Sequence, residues 1–270
     1  MVRRSLFCAL AASTLLAGGA ASAEPAILRP AGDWQMDVTW WLFSPISTTG
    51  TSTVAGQPAD LDLDLQDALE LLDFASSLRF EAWRGDFGLI VDANYLGISE
   101  EGSTTLGGGP FARDLDAEVE AVQSWISLLA AYRFAKGTNA RGKAYAFDVQ
   151  AGARYNNLTQ DVDIEGPFRS VSLGGSEHWW EPVIGARGAW ELDDDWSFAA
   201  GADFSGFGAG GNDLAWSATA AFDWSFSESG SVKFGYRYYS IDFESEKSDG
   251  TFGWDVEQHG PFFGVTFALN

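Results

Sequence analysis

The sequence predicts an all-β fold, a transmembrane antiparallel up-and-down β-barrel of about ten strands, with eight or twelve strands also compatible with the pattern. Apolar and polar residues alternate over a series of segments, for example from Phe147 to Tyr155 and from Val232 to Tyr238, which would give each strand one apolar and one polar face. Aromatic residues gather towards the ends of these segments, as they do at the two interfaces of a membrane; they include Trp40, Trp41, Trp83, Tyr132, Trp179 and Trp180. The chain also begins with the pattern of an export signal.

The first element is a predicted secretory signal peptide over residues 1–23. Arg3 and Arg4 form its positive region, residues 6–17 are apolar, and Ala21-Ser22-Ala23 provides the small residues of a cleavage site. A membrane anchor is disfavoured because the apolar stretch is shorter than the roughly 20 residues that a helix needs to cross a bilayer. We therefore expect the mature protein to be one barrel domain over residues 24–270.

Ten strands are predicted in the mature chain. They cover residues 33–46, 74–84, 87–99, 117–134, 144–160, 178–192, 195–206, 213–227, 231–244 and 252–269. The connections alternate between long and short, which matches a barrel with longer outer loops and short periplasmic turns. An even strand number also places both termini on the periplasmic side. Within the first long connection, residues 50–64 are compatible with an extra hairpin above the membrane, and residues 65–72 with a helix.

The composition agrees with an exported barrel. The 270 residues include 31 Gly, 12 Trp and 20 Phe, yet the mean hydropathy is only −0.07, which is too polar for a helical membrane protein. The formal net charge of −22 disfavours nucleic acid as a partner, because phosphates would be repelled. Cys8, the only cysteine, lies in the predicted signal peptide, so we expect no disulfide and no cysteine-bound metal. We also expect no cofactor. The rival fold is a soluble periplasmic β-sandwich, which does not explain why the aromatic residues gather at strand ends.

The polar residues at every second position of the strands predict a charged lumen. The charged residues expected to point inwards are Arg79, Glu81, Asp92, Asp148, Arg154, Glu181, Arg187, Asp203, Asp223, Lys233 and Arg237. Buried charges need partners, so Arg79 and Glu81 are expected near Asp92. Glu181 and Arg187 are expected near Arg154 and Asp203. Two interpretations stay open at this point: a structural ladder of ion pairs that fills a small barrel, and a narrow, charge-lined passive channel with a porin-like role.

The outer connections are strongly acidic, and they suggest a second function. The first of them carries Asp60, Asp62 and Asp64, and clustered carboxylates can hold hard cations such as calcium. The alternative is therefore a surface-interaction protein whose acidic extracellular loops bind cations or a partner. These aspartates alternate with leucine, however, and they lack the spacing of a calcium-binding loop, so no metal-binding residue is predicted.

No catalytic residue is predicted, and we do not expect an enzyme. The only histidines are His178 and His259, and hydrolytic barrels usually need a histidine as general base. His178 stands between Glu177 and Trp179, whose side chains would point to the opposite face of a strand. His259 has no serine two residues away, and both histidines lie near predicted strand ends, where ordinary polar contacts explain them.

Several segments are similar to those of a known group of proteins. They are Trp41 to Ser47, Leu71 to Trp83 with residues 84–89, Glu181 to Gly188, Gly201 to Leu214, and Gly253 to Gly264. Through them the chain resembles largely uncharacterised Gram-negative outer-membrane proteins of the OmpA/OmpW-like porin kind. The resemblance implies a location in the outer membrane of a Gram-negative bacterium, and it implies no agreed activity or site residues.

The expected partners follow from that location. They are outer-membrane lipid and, during biogenesis, the barrel-insertion machinery, and we expect the protein to be a monomer. One departure concerns the C-terminus, where such chains commonly carry an aromatic residue as an insertion signal. This chain ends in Phe267-Ala268-Leu269-Asn270 and lacks the terminal aromatic residue, although the outward alternation continues to the end.

Overall fold

Twelve strands and one helix are formed by the residues that the computed structural model describes, which are 34–106, 113–165, 170–248 and 250–269. The elements are β1 (Gln35–Phe43), β2 (Ser47–Val54), β3 (Gln57–Asp64), α1 (Leu65–Leu71), β4 (Leu72–Arg84), β5 (Phe87–Leu106), β6 (Arg113–Thr138), β7 (Ala144–Glu165), β8 (Ser170–Glu191), β9 (Trp196–Ala209), β10 (Asn212–Ser227), β11 (Gly230–Lys247) and β12 (Gly250–Ala268). The predicted signal peptide lies outside the described residues.

Ten of these strands close into an antiparallel ring. β1 pairs with β4, the strands from β4 to β12 pair in chain order, and β12 returns to β1. The closing pair runs from Asp37 opposite Ala268 to Phe43 opposite Phe262. Because the first and last strands of the ring are hydrogen-bonded to each other, the ring has no free edge where they pair. The prediction of an antiparallel barrel of about ten strands is confirmed.

The two faces of the ring differ as the alternation predicts. In β8, Ile184 is 51% exposed on the outer face, whereas Val183 beside it is 1% exposed in the interior. Each of the ten ring strands exposes at least one large apolar or aromatic side chain in this way. An apolar exterior of this extent is stable in lipid and unfavourable in water. No helix formed by the described residues is long and apolar enough to cross a membrane.

The aromatic residues divide between the two faces. Trp40, Tyr132 and Trp180 lie on the outer face, as the interface prediction requires. That prediction was wrong for Trp41, which lines the interior cavity, and for Trp83 and Trp179, which point inwards and are 1% and 6% exposed. The Nε1 groups of the Trp83 and Trp179 indoles donate to inward carboxylates two residues away, at 2.9 and 2.7 Å, which satisfies the buried N–H.

Most of the predicted outer loops are strand instead. The sequence predicts a connection over 100–116, but β5 reaches Leu106 and β6 begins at Arg113. Likewise β7 and β8 fill much of the predicted connection 161–177. Pairing beyond the lipid needs no apolar face, because water can solvate both sides of a strand there. The backbone groups still need partners, so the ladder continues through polar sequence.

The first long connection contains a hairpin and a helix, as predicted. β2 pairs with β3, and it continues the barrel wall by pairing with β12 from Ser47 opposite His259. The helix α1 begins after the N-cap Asp64, whose Oδ1 accepts from the backbone N–H groups of Gln66 (2.7 Å) and Asp67 (3.1 Å). The Asp67 carboxylate accepts in return from the Asp64 N–H at 3.2 Å, which completes a capping box.

Apolar side chains fill the outer end of the interior, which is the end opposite the short turns. We call this group the outer core. Its buried members are Leu158, Trp179, Ala215, Tyr239, Ile241, Phe243, Phe252, Trp254 and Val256. They come from the inward faces of β7, β8, β10, β11 and β12. Trp179 and Phe243 stack with ring centroids 4.0 Å apart, so side chains from β8 and β11 meet in the middle. The interior is therefore not a uniformly polar lumen.

Candidate functional site

Five charged side chains at the lower end of the interior, where the short turns lie, form what we call the lower network. Its members are Arg79, Glu81, Asp92, Asp148 and Arg187. Arg187 donates from Nη1 to Glu81 Oε1 (2.7 Å) and from Nη2 to Asp148 Oδ2 (3.0 Å). Arg79 donates from Nε to Glu81 Oε1 (2.8 Å) and from Nη1 to Asp92 Oδ2 (2.9 Å). Because β4 and β8 are separated by three strands around the ring, the Arg187–Glu81 pair joins distant parts of the wall.

A second group, the upper network, is centred on Arg154 of β7. Its Nη2 donates to Asp203 Oδ1 at 3.0 Å, and its Nη1 lies 3.7 Å from Glu181 Oε1. Ser127 and Ser205 accept from the same guanidinium at 3.0 and 3.2 Å. This Arg is therefore hydrogen-bonded along most of its edge, which compensates the loss of water around a buried charge.

Two further inward cations, both on β11, differ in their surroundings. Lys233 of β11 donates to Asp223 of β10, and the two residues are direct cross-strand partners. Arg237, four residues along β11, is surrounded by aromatic rings. Its guanidinium carbon lies 5.1 Å from the ring centre of Trp41 and 5.4 Å from that of Tyr239.

Between the networks lies a cavity of about 200 Å³. Thr39, Trp41, Trp125, Leu129 and Phe262 contribute to its wall together with alanine and glycine from β9. The charged residues on its wall are the cations Arg79, Arg154, Arg187, Lys233 and Arg237 and the carboxylates Glu81, Asp92 and Asp203. Asp148, Glu181 and Asp223 also pair with Arg187, Arg154 and Lys233, so these cations are neutralised from beside the cavity. Among the described residues on the wall of this chamber, Arg237 is the cation with no carboxylate within ion-pair distance.

Of the eleven predicted charged residues, eight contribute to the cavity wall, and Asp148, Glu181 and Asp223 are buried beside Arg187, Arg154 and Lys233. Arg79 lies beside Asp92, and Glu181 and Asp203 lie beside Arg154, as expected. The expectation for Arg187 was wrong, because it pairs with Glu81 and Asp148 in the lower network and not with Arg154 or Asp203. Its cross-strand neighbour on β7 is Asp148, so the register of β7 and β8 sets this partner.

Sequence reasoning missed the aromatic part of the interior. Arg133 lies over the ring of Trp83 at 4.5 Å, and Arg237 lies within 6.0 Å of four aromatic rings. The alternation of residues along the strands could have predicted it, because Trp41, Trp125 and Tyr239 occupy the same face as the inward charges. The preference of aromatic residues for membrane interfaces outweighed that signal in the prediction.

The short turns carry a polar cluster of their own outside the membrane. Lys143 donates to Asp194 Oδ1 (2.7 Å) and Glu191 Oε1 (2.8 Å), and the Ala144 N–H donates to Glu191 Oε2 (2.8 Å). These hydrogen bonds raise the pKa of Lys143 and lower the pKa of Asp194. Burial acts to raise the pKa of Glu191, but the bonds from Ala144 and Lys143 outweigh it and lower that pKa. The cluster therefore joins the β6–β7 and β8–β9 turns.

The acidic outer segments show like charges facing each other. Asp242 of β11 is the cross-strand partner of Asp255 on β12. Burial, followed by the charges of Asp255 and Asp213, raises the pKa of Asp242. Among the described residues, no group of three or more His, Cys, Asp and Glu side chains is arranged to hold a metal ion. Asp249, in the connection between β11 and β12, lies outside the described residues.

The two histidines lie on the outer face of the wall. His178 packs near Tyr155 with ring centroids 6.3 Å apart. The Nδ1 atom of His259 lies 2.6 Å from the hydroxyl of Tyr236, its neighbour on the same face. These are the polar and aromatic contacts that strand residues make with adjacent strands.

Comparisons with known proteins give matches among solved structures but none among known families. The sequence matches no model of a known protein family, and no curated protein is significantly similar to it. Among solved structures, the chain is similar to the translocator domain of the autotransporter NalP from Neisseria meningitidis, with 11% identity, a TM-score of 0.41, and 87% of this chain and 88% of that chain covered. It is also similar to Neisserial surface protein A, with 9% identity, a TM-score of 0.27, and 88% and 99% covered. A third match is a FadL homologue of Pseudomonas aeruginosa, with 10% identity, a TM-score of 0.29, and 87% and 89% covered.

The closed ring and its apolar exterior define the class of protein. Strands that alternate between a lipid-facing apolar side and a polar inner side, closed without an edge, are the architecture of outer-membrane barrels. This chain has the fold of an outer-membrane β-barrel.

Proposed function

We propose that this protein is a structural outer-membrane barrel, of the OmpA/OmpW-like kind and without enzymatic activity, whose interior is closed to hydrated solutes at its outer end. The outer core is the observation that carries the proposal. Side chains from five strands fill the interior there, and Phe243, Phe252, Ile241 and Val256 are each 1% exposed. A hydrated ion would have to shed water to pass between them, which an apolar wall does not compensate.

Contacts across the interior reinforce this closure. Trp179 of β8 stacks on Phe243 of β11, and Phe252 packs edge-on against the same Phe243 ring with centroids 6.3 Å apart. At the same end of the barrel, the Ser52 hydroxyl of β2 donates to the Gln160 side chain of β7 at 2.8 Å. Aromatic stacking and close packing of this kind hold an interior as tightly as a soluble core.

The second candidate is a narrow passive channel, and one observation favours it. The charged cavity beneath the outer core has room for several water molecules. In that case the outer core would have to rearrange whenever solute passes. The two candidates therefore differ in whether the folded barrel conducts at rest.

Partners and assembly follow from the closed ring. We propose that the barrel is a monomer, because β1 and β12 of the same chain pair and no second copy is needed to complete the wall. Its partners would be outer-membrane lipid around the apolar face and the barrel-insertion machinery during biogenesis. Binding of cations or a partner by the acidic outer segments stays a prediction.

Conductance across a planar bilayer tests the proposal. We expect folded mature protein to be silent, and we expect the double variant Trp179→Ala, Phe243→Ala to give discrete current steps because it empties the outer core. Trp180→Ala with Phe234→Ala is the matched control: it removes the same ring types from the outer face, so it should stay silent. Discrete steps from the unmodified barrel would overturn the closed interior and favour the channel. Folding of each protein is checked by its shift on unheated gels.

A further inference from the structure

We propose that the internal cavity binds a small monocarboxylate with an apolar or aromatic body, about the size of benzoate, and that Arg237 holds the carboxylate. This inference goes beyond the proposed structural role, because it assigns a ligand to the chamber. It rests on the surroundings of Arg237, on its lack of an anionic partner, and on the size and charge of the cavity beside it.

The guanidinium of Arg237 sits in an aromatic box. Its central carbon lies 5.1 Å from the ring centre of Trp41, 5.4 Å from Tyr239, 5.7 Å from Trp125 and 5.9 Å from Phe43. All four distances fall within the roughly 6 Å at which a cation is attracted to a ring face. The rings fix the position of the charge without neutralising it.

Arg237 differs from three other interior arginines in having no carboxylate partner. Arg79, Arg154 and Arg187 each form ion pairs. Arg237 is only 8% exposed, its Nε has no hydrogen-bond partner among the described residues, and no described carboxylate forms an ion pair with it. A buried cation without an anion is costly, and a bound carboxylate would remove that cost.

The cavity supplies the rest of the site. Arg237 and Trp125 are part of its wall, and Trp41, Leu129 and Phe262 give it apolar surface. A dry cavity of about 150 Å³ accepts benzene, so a chamber of about 200 Å³ has room for a benzoate-sized molecule. No described carboxylate forms an ion pair with Arg237 on this wall, which favours an anion there. A guanidinium matches the planar carboxylate through two parallel hydrogen bonds, and a bare inorganic anion has no apolar part to place on the rings.

Arg237 also lies beside a break in the barrel wall. β1 and β4 pair only as far as Trp41 opposite Ser77, after which the chain stays with β12 through Ser44 N–H to Pro261 O (3.0 Å). A second cavity of about 30 Å³ lies at this break, and Arg237 and Trp125 contribute to both cavities. Tyr95, from the outer face, also lines it. This second cavity thus lies between Arg237 and the lipid-facing side of the wall.

Calorimetric titration of the folded mature barrel in detergent tests the proposal, with sodium benzoate as the probe at neutral pH. We expect saturable binding, and we expect Arg237→Gln to weaken it by about tenfold or more, because a hydrogen-bonded charge is lost. Arg237→Lys should retain part of the affinity. Lys136→Gln is the matched control, since it removes a positive charge at the exposed turns, and it should bind like the unmodified protein.

Two comparisons on the unmodified protein decide the ligand class even if Arg237→Gln does not fold. Benzyl alcohol has the same ring without the charge, and inorganic phosphate has charge without a ring, so both should bind more weakly than benzoate. Equal affinity for benzyl alcohol or for phosphate would overturn the proposal. So would the absence of saturable benzoate binding, or unchanged affinity in folded Arg237→Gln. None of these readouts depends on conductance, so the closed interior is tested separately.

Discussion

Glu81 links two cations that come from different parts of the wall. It accepts from Arg79 on its own strand and from Arg187 on β8, and its second oxygen also accepts from the Trp83 indole. A carboxylate with this many donors is stabilised as the charged form, and its removal leaves two guanidinium groups under-satisfied. At the scale of the residue, the lower network therefore depends most on this one side chain.

We expect Glu81→Gln to lower the free energy of unfolding by about 3 kcal/mol, the cost of breaking a buried pair by removing one partner. Urea unfolding of the protein in lipid vesicles would measure it. Asp86→Asn is the control, because Asp86 pairs with Lys136 at the exposed turns and an exposed pair contributes less than about 1 kcal/mol. Similar losses in both variants would contradict the bracing role of Glu81.

At the scale of the element, several strands are longer than the membrane is thick. β5 to β8 run well beyond the predicted membrane segments, and the outer core packs between the inward faces of β7 and β8 and those of β10 to β12. The short turns at the other end are held by side chains, as the Lys143 cluster shows. Each end of the barrel thus has its own means of restraint: apolar packing above and charged hydrogen bonds below.

The turn cluster should respond to acid. The pKa values of Glu191 and Asp194 are lowered in the folded state, so their stabilising contribution is complete above their usual values and is lost as the pH falls through the lowered ones. The pKa of Lys143 is raised, so its contribution is lost only in strongly alkaline solution. We expect the exchange protection factor of the Ala144 amide to fall on acidification.

Lys143→Gln should reduce that protection already at neutral pH, because Glu191 and Asp194 lose their shared donor. Hydrogen exchange corrected for the intrinsic effect of pH makes the measurement. Arg141→Gln is a suitable control in the same turn, since the ion pairs of this turn among the described side chains involve Lys143 and not Arg141. An Ala144 amide that is equally protected in Lys143→Gln and in the unmodified protein would contradict the role of the cluster.

At the scale of the whole molecule, the ring and the outer hairpin are separable. β1 pairs with both β4 and β12, so the ring closes without β2 and β3. The hairpin is joined to the rest mainly through β12, and Leu61 of β3 also packs against the outer core. Closure should therefore survive its removal.

We expect a variant with residues 48–63 replaced by Asn-Gly to fold and insert. Ser47 and Asp64 are cross-strand partners, and Asn-Gly is a favoured two-residue hairpin turn between such positions. The gel shift of the unheated protein and resistance of its strands to protease would report folding. Thr39→Pro is the comparison, because it places proline in the middle of β1, paired on both sides, and should prevent closure. Failure of the shortened variant would show that the hairpin is part of the folding unit.

The candidate site was predictable in part. Parity along each strand places Arg79, Arg154 and Arg237 in the interior, because successive side chains alternate strictly between faces. Parity does not say which carboxylate each of them meets. The partner of Arg187 was predicted wrongly for this reason, and the missing partner of Arg237 was not predicted at all.

The sequence by itself determined what repeats locally: the alternation, the ten ring strands, the apolar exterior and the polar interior positions. Only the tertiary structure decided which strands stand across from one another, and hence that Arg187 meets Glu81 and that Trp179 meets Phe243. The reason is physical. Alternation depends on neighbours in the chain, whereas a contact across the interior depends on strand number, register and tilt together, which no single segment encodes.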